Sequence, residues 1–435
     1  MPDCTEVGAG TGTPRVKCPQ RDQVEYRACC WNDLLPEDHQ ARIVWDYVMG
    51  LDLSSLYERI KAVQRRPGQS AIDPRILFAL WLYATLRGIG SARELARRCD
   101  PRLGEVAFQW ICGGVSVNYH TLADFRTEHV ELLDQTLTNS VGVLRNEGLV
   151  TLDRVAQDGM KVRASAGASS FRRRKTLEEH LAEAKAQIEA LKQELEADPA
   201  AASRRQQAAR ERAARERAER LAKALEELEE VEGKKKPSEQ EKARASSTDP
   251  EARTMKMGDG GFRPAYNVQL ATDTASQIIT GVDVSNSGGD QGKLAPMVEQ
   301  HDERYEKPPN EALVDGGFVK KEDITQVSPP QGKTTVYAPV QKAKKEGLDP
   351  HTPREDDSPA VAEWRMRMAT AEAKEIYKER AATAECVNAI ARNRGLQQFR
   401  VRGSPKVKAV ILWYVLAHNL IRAVTLRAER EIKVK

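Results

Sequence analysis

The apolar pattern starts abruptly near Asp38. From there to Ile60, Ile43, Val44, Tyr47, Val48 and Leu51 recur at helical spacing, which predicts the first element of a helical region. Asp73-Pro74 opens a further helix with a capping side chain and a first-turn proline. Gly88-Ile89-Gly90 interrupts it, and Ser91 caps the next. A third is predicted near Gly104 to Ile111. A fourth starts between Asn118 and Thr121 and carries Leu122, Phe125, Val130, Leu132 and Leu133. Paired helices joined by a tight glycine turn are what a helix-turn-helix needs, although most such hairpins are plain packing units.

The period changes at Leu149. Residues Leu149 to Gly159 are rich in aliphatic and β-branched side chains, and the closing Asp158-Gly159 predicts a strand running into a turn. Residues 171–232 then consist almost wholly of Ala, Leu, Glu, Lys, Arg and Gln, with Leu177, Leu181, Ala184, Ile188, Leu191 and Leu195 stepping by four and three. Asp198-Pro199 breaks the pattern and Ala214, Ala218, Leu221, Leu225 and Leu228 resume it, which predicts an antiparallel coiled-coil hairpin with a solvated charged surface. After a Lys/Ser/Pro-rich linker, residues 266–273 and 278–284 read as a β-hairpin and residues 290–304 as a helix. Glu311 to Gly317 reads as a short buried strand ending in a turn, and Thr334 to Val340 as another strand. The order predicts a mixed α/β sheet with helices packed on it. The divisions expected are an irregular segment 1–35, a helical DNA-binding domain 36–145, a first catalytic piece 146–170, a coiled-coil insertion and linker 171–250, and the remaining catalytic piece with basic C-terminal helices 251–435.

Composition adds little until it is mapped. A net charge of +4 over 435 residues does not by itself argue for nucleic acid. From Cys386 to Lys435, however, eleven Lys/Arg face only Glu429 and Glu431, so this tail is a candidate phosphate-binding surface. Seven cysteines without regular spacing suit a reduced cytoplasmic chain better than a disulfide framework, and no C-x-x-C zinc pattern occurs. The first ten residues do not read as a signal peptide. The apolar run Ala409 to Ala417 is too short to span a membrane and is expected as a buried helix, so no membrane association is expected.

Two aspartates, Asp158 and Asp315, are each followed by glycine where a strand is predicted to end. Carboxylates at strand ends project into the crevice where α/β sheets bind ligands, and glycine lets a backbone come close. Each Asp-Gly taken alone is more often just a turn; the pairing is what suggests two-metal phosphoryl transfer, in which carboxylates hold two divalent ions. Oxygen ligands suit Mg²⁺ or Mn²⁺. The third carboxylate is expected from a helix. At 100° per residue, Tyr377, Glu385, Asn388 and Arg392 share a face flanked by Arg380, so Glu385 is the candidate, with Glu379 and Glu375 as outside alternatives. His120 and His418 are read as structural.

In that order, Asp158-Gly159, Asp315-Gly316-Gly317-Phe318, then Tyr377, Arg380, Glu385 and Arg392 resemble the three catalytic motifs of bacterial insertion-sequence transposases of the DDE class, in the branch with a Tyr-Arg-Glu-Lys signature. Asp73 to Arg126 and Gly260 to Asp273 are also similar to that branch. The resemblance implies a ribonuclease H-like sheet with catalytic carboxylates, preceded by an all-α domain and interrupted by the coiled-coil insertion. It implies cleavage at transposon ends and strand transfer into target DNA. Asp158, Asp315 and Glu385 would bind two ions, and Arg380, Arg392 and Tyr377 would contact DNA. The partners would be double-stranded terminal repeats and target, and the active form a homodimer or larger. Two departures stand out. Four residues rather than three separate Arg380 from Glu385, and Arg392 stands where the signature has lysine. A two-metal nuclease without strand transfer, or a decayed DNA-binding derivative, would carry the same motifs.

Overall fold

A computed structural model describes residues 30–62, 70–197, 204–341 and 349–434. Most of the segment 1–35 and the Asp198-Pro199 break lie outside the described residues. Among the described residues a 3-10 turn at Trp31–Leu34 is followed by seven α-helices: α1 (Gln40–Met49), α2 (Ser54–Glu58), α3 (Pro74–Leu86), α4 (Ala92–Arg98), α5 (Val106–Cys112), α6 (Tyr119–Thr127) and α7 (Val130–Asn146). The caps act where the sequence puts them. The Asp73 carboxylate accepts from the Arg75 amide at 2.8 Å, Ser91 from Glu94 at 3.4 Å and Asn118 from Thr121 at 2.9 Å. Two helices expected as single runs are each split, the first after Met49 at Gly50 and the second at Glu128-His129.

Helix α3 is buried on every side from Ile76 to Ala84, so it is a core helix and cannot enter a DNA groove. Its partner is the long C-terminal helix α15 (Ser404–Val434), against which Phe78 and Trp413 meet with ring centres 4.6 Å apart. Residues Ala409 to Ala417 are buried as expected, but they belong to a helix of 31 residues. By length and composition alone the stretch Ser404–Ile432 would be long enough to cross a membrane; 72% of its most apolar window is buried inside the protein. Helix α15 also reaches the sheet, where the Asn419 amide pairs with both the N–H and the carbonyl of Ile279, at 2.9 and 2.8 Å.

Among the described residues six strands form the main sheet, β1 (Arg154–Arg163), β4 (Arg253–Lys256), β5 (Phe262–Asp273), β6 (Ile279–Ser285), β7 (Glu311–Leu313) and β8 (Thr335–Tyr337), with the short pair β2 (Phe171–Arg172) and β3 (Ala245–Ser246) standing apart from it. The path runs β4-β5-β1-β7-β8 with β6 also on β5. Strand β1 is antiparallel to β5 and parallel to β7, and β7 is parallel to β8. This mixed, curled sheet, with α10 (Leu294–Tyr305) and α11 (Lys321–Val327) in the crossovers, is consistent with a ribonuclease H-like fold.

Between β2 and β3 the chain makes two long helices, α8 (Arg174–Ala197) and α9 (Arg204–Gly233). They run antiparallel, as the ion pairs Arg174–Glu232 and Arg217–Glu183 require, and bury Leu177, Ala184, Leu221, Ala224 and Leu228 between them. Arg253 of β4 binds Glu227, and Lys223 binds Glu251, which fastens α9 to the sheet side. The chain closes with α12 (Pro359–Ala369), α13 (Ala371–Arg380), a π-helical turn at Ala381–Glu385, α14 (Cys386–Asn393) and α15.

Candidate active site

Strands β1 and β7 pair in parallel up to Ala156 opposite Leu313 and then part. Asp158 and Asp315 each stand two residues beyond that last pair, so the splay of two parallel strands brings both to one crevice. The position of Asp158 within its strand differs from the expectation. Asp158-Gly159 makes no turn: β1 starts five residues later than expected and runs on to Arg163, with Gly159 opposite Gln269. Gly159 is required by crowding. A Cβ there would strike the Asp290 carboxylate and come within 2.6 Å of the Gln269 amide nitrogen. Asp315 follows the expectation more closely, since its carboxylate accepts the Gly317 N–H at 2.7 Å in the turn after β7.

Asp158 is three-quarters or more shielded. One oxygen accepts the Gly159 N–H at 2.9 Å and the other the Asn388 amide of α14, also at 2.9 Å. Burial raises its pKa to about 6, against the nearby positive charge of Arg380 and with further upward pushes from Asp315 and Asp290. Arg380 stands between two carboxylates, 3.8 Å from Asp158 and 2.8 Å from Glu385, and its Nη1 is buried without a hydrogen-bond partner. Tyr377 flanks it, the guanidinium carbon lying 5.8 Å from the ring centre. Glu385 is 56% exposed at its side chain and, among the described residues, is held only by Arg380. Its two rivals are engaged elsewhere: Glu379 with Arg154 at 2.5 Å, and Glu375 with Lys378 at the surface.

The π turn explains how Arg380 reaches Glu385 across one residue more than the signature spacing. In an uninterrupted α-helix, residues five apart point about 140° away from each other. A π turn takes up one extra residue, so positions i and i+5 stack, and the face expected from a plain helical wheel is rebuilt by a different route. Arg392 is on that face but about 10 Å further along the axis and exposed, with no ion pair to the cluster among the described residues. The expected DNA contacts thus divide: Tyr377 and Arg380 join the carboxylates and Arg392 does not.

One carboxylate was not foreseen. Asp290 accepts the Asn267 and Gln269 side-chain amides of β5 at 2.7 Å each, and lies beside Gly159 and Gly317. Its sequence signal is faint, an aspartate just after Ser287-Gly288-Gly289 in the loop leaving β6. Among the described residues no three His, Cys, Asp or Glu side chains converge closely enough to share one ion. The donor chemistry still fits hard divalent ions, being all oxygen. The guanidinium lodged between Asp158 and Glu385 shows where a positive charge is stabilised.

The sheet order is consistent with a ribonuclease H-like fold, with Asp158 and Asp315 at one crevice beside Arg380 and Glu385. Residues 30–128 match the transposase domain family DUF772, and residues 342–424 match a transposase DDE domain. The protein is a DNA transposase with an N-terminal DUF772 region and a DDE transposase domain. The second match contains Glu385, while Asp158 and Asp315 fall in the interval between the two. No curated protein and no solved structure matches the chain.

Proposed function

We propose that Asp158, Asp315 and Glu385 are the catalytic carboxylates of this transposase, and that they cut DNA at the ends of an insertion sequence and join the freed 3′-hydroxyl to target DNA. The observation that carries this reading is Arg380, which links Asp158 on β1 to Glu385 beyond the π turn in the crevice where Asp315 also lies. The three carboxylates would hold two Mg²⁺ or Mn²⁺ ions, and such ions, when bound, activate the attacking oxygen and stabilise the leaving one. Asn388 orients Asp158, and Arg380 has a free buried N–H to offer a phosphate oxygen. Tyr377 walls that phosphate position, and Arg392 would meet the DNA further along.

End recognition is assigned to helices within residues 74–130, with α4 and α6 rather than the buried α3 presenting side chains. The α8–α9 hairpin is read as a coiled-coil insertion on the strength of its leucine and alanine seam. Joining two ends calls for at least a dimer, acting in the cytoplasm. Strand cleavage and joining with purified protein, Mg²⁺ and labelled end DNA test the reading. Products that disappear in Glu385→Gln support it, and specific end binding without cleavage under Mg²⁺ or Mn²⁺ refutes it in favour of a binding-only protein.

A further inference from the structure

A second feature stands at the end of β1, five residues beyond Asp158. The last residue of β1, Arg163, pairs through its backbone with the segment 397–399: its N–H reaches the Gln397 carbonyl at 3.2 Å and its own carbonyl accepts the Phe399 N–H at 2.8 Å. That pairing sets Arg163 and Arg400 beside the helical region, on a groove of about 860 Å³ that also presents Arg93 of α4 and Arg126 of α6. The groove has no acidic residue among its described lining, and none of these four arginines has a carboxylate partner among the described residues. This contrasts with the far end of the basic tail, where Arg427 binds Glu147 and Arg422 pairs with Glu429.

Like charges are held together there. Gly90 faces both Arg126 and Arg400, with a guanidinium nitrogen of each 3.8 Å from where its Cβ would be. Burial first, and then the charge of Arg400, lower the Arg126 pKa to about 10. Arg126 gives one N–H to the Gly90 carbonyl at 2.6 Å and lies over the Trp81 ring, while its Nε is buried without a partner. Arg93 lies over Tyr119, 5.1 Å from the ring centre. Unpaired guanidinium groups backed by aromatic faces form a surface for a polyanion.

We infer that the groove between α4, α6 and the segment 395–401 seats the phosphate backbone of the element's own end, with Arg93, Arg126, Arg163 and Arg400 as the contacts. This rests on the reading of the carboxylate site given above. Arg163 is five residues from Asp158 along β1, about 17 Å at strand rise. At about 3.4 Å per nucleotide, the groove meets the backbone about five phosphates from the bond cut at Asp158. It fixes the register of the end rather than its sequence.

The test is binding of Arg163→Ala/Arg400→Ala, both exposed positions, to a duplex carrying the element's end and to one of unrelated sequence, by fluorescence anisotropy over a range of salt. Melting curves confirm that the variant folds. The expected result is a loss of about tenfold or more on both duplexes, with the slope of log affinity against log salt reduced by about two. Ethylating phosphates about five nucleotides from the cut should weaken wild-type binding and make little difference to the variant. An unchanged salt slope and an unchanged ethylation pattern overturn the groove. Failure of the wild type itself to bind end DNA would instead overturn the transposase reading of the carboxylate site, so the two failures are distinguishable.

Discussion

Inserting one alanine between Ala382 and Thr383 isolates the role of the π turn. That turn already absorbs one residue, and Val387 and Ala391 lock α14 into the core beyond it. A second extra residue must turn Glu385 by about 100° relative to Arg380. At a side-chain radius of about 5 to 6 Å, the carboxylate then moves by about 8 Å, far beyond its 2.8 Å contact with Arg380. If α14 rotates instead, Asn388 leaves Asp158 and two buried side chains leave the core. Misplacement by about 1 Å can cost on the order of a hundredfold in rate, so end cleavage should fall by at least that factor. Deleting Ala382 does the reverse. The segment becomes ordinary α-helix, Arg380 and Glu385 become i and i+4 neighbours on one face, and cleavage should stay within a few-fold of wild type. Single-turnover cleavage of a labelled end, on variants shown by circular dichroism to be folded, reads both. An insertion variant with wild-type cleavage, or a folded deletion variant with none, refutes the reasoning.

Other outcomes follow from single contacts. Gly159→Ala puts a methyl group against Asp290 and Gln269, and overpacking of this kind costs about 1 to 3 kcal/mol, so both the melting temperature and cleavage should drop. Unchanged values would show that Asp290 yields freely. Glu379→Gln should affect cleavage far less than Glu385→Gln, because Glu379 is occupied by Arg154; equal losses would reassign the third carboxylate. His301 and His418 are buried, and that burial lowers both pKa values to about 4. Each therefore takes up a proton more readily in the unfolded chain. The stability they contribute is complete above about pH 6.5 and is lost as pH falls towards 4, by up to about 3 kcal/mol each. In urea titrations across that window, His418→Gln should lose less stability on acidification than wild type, and parallel curves would contradict this.

Much of the fold was legible because it depends on local signals. Capping side chains at Asp73, Ser91 and Asn118, the leucine spacing of α8 and the alternation in β5 each act within a few residues. Features that depend on distant neighbours were not legible. Asp-Gly normally marks a turn, and it is pairing with β5, about a hundred residues on, that keeps Gly159 in mid-strand, where the approach of Asp290 excludes a side chain. Asp290 itself lacks any periodic context and becomes part of the site through two amides of β5. The alanine-rich run after Arg380 gives no sign of a π turn, although the extra residue between Arg380 and Glu385 was visible as a mismatch of spacing. Which arginines of the basic tail are paired depends on Glu147, a residue distant in sequence, and on Glu429.

Under the proposed function one set of carboxylates serves both hydrolysis and joining. The most direct measurement supplies ends already cut, with free 3′-hydroxyls, together with supercoiled target DNA and Mg²⁺, and compares joining with cleavage of uncut ends for Asp158→Asn, Asp315→Asn and Glu385→Gln. Each variant should bind ends as wild type does and lose both reactions together. A variant that cannot cut but still joins pre-cut ends at the wild-type rate would contradict this.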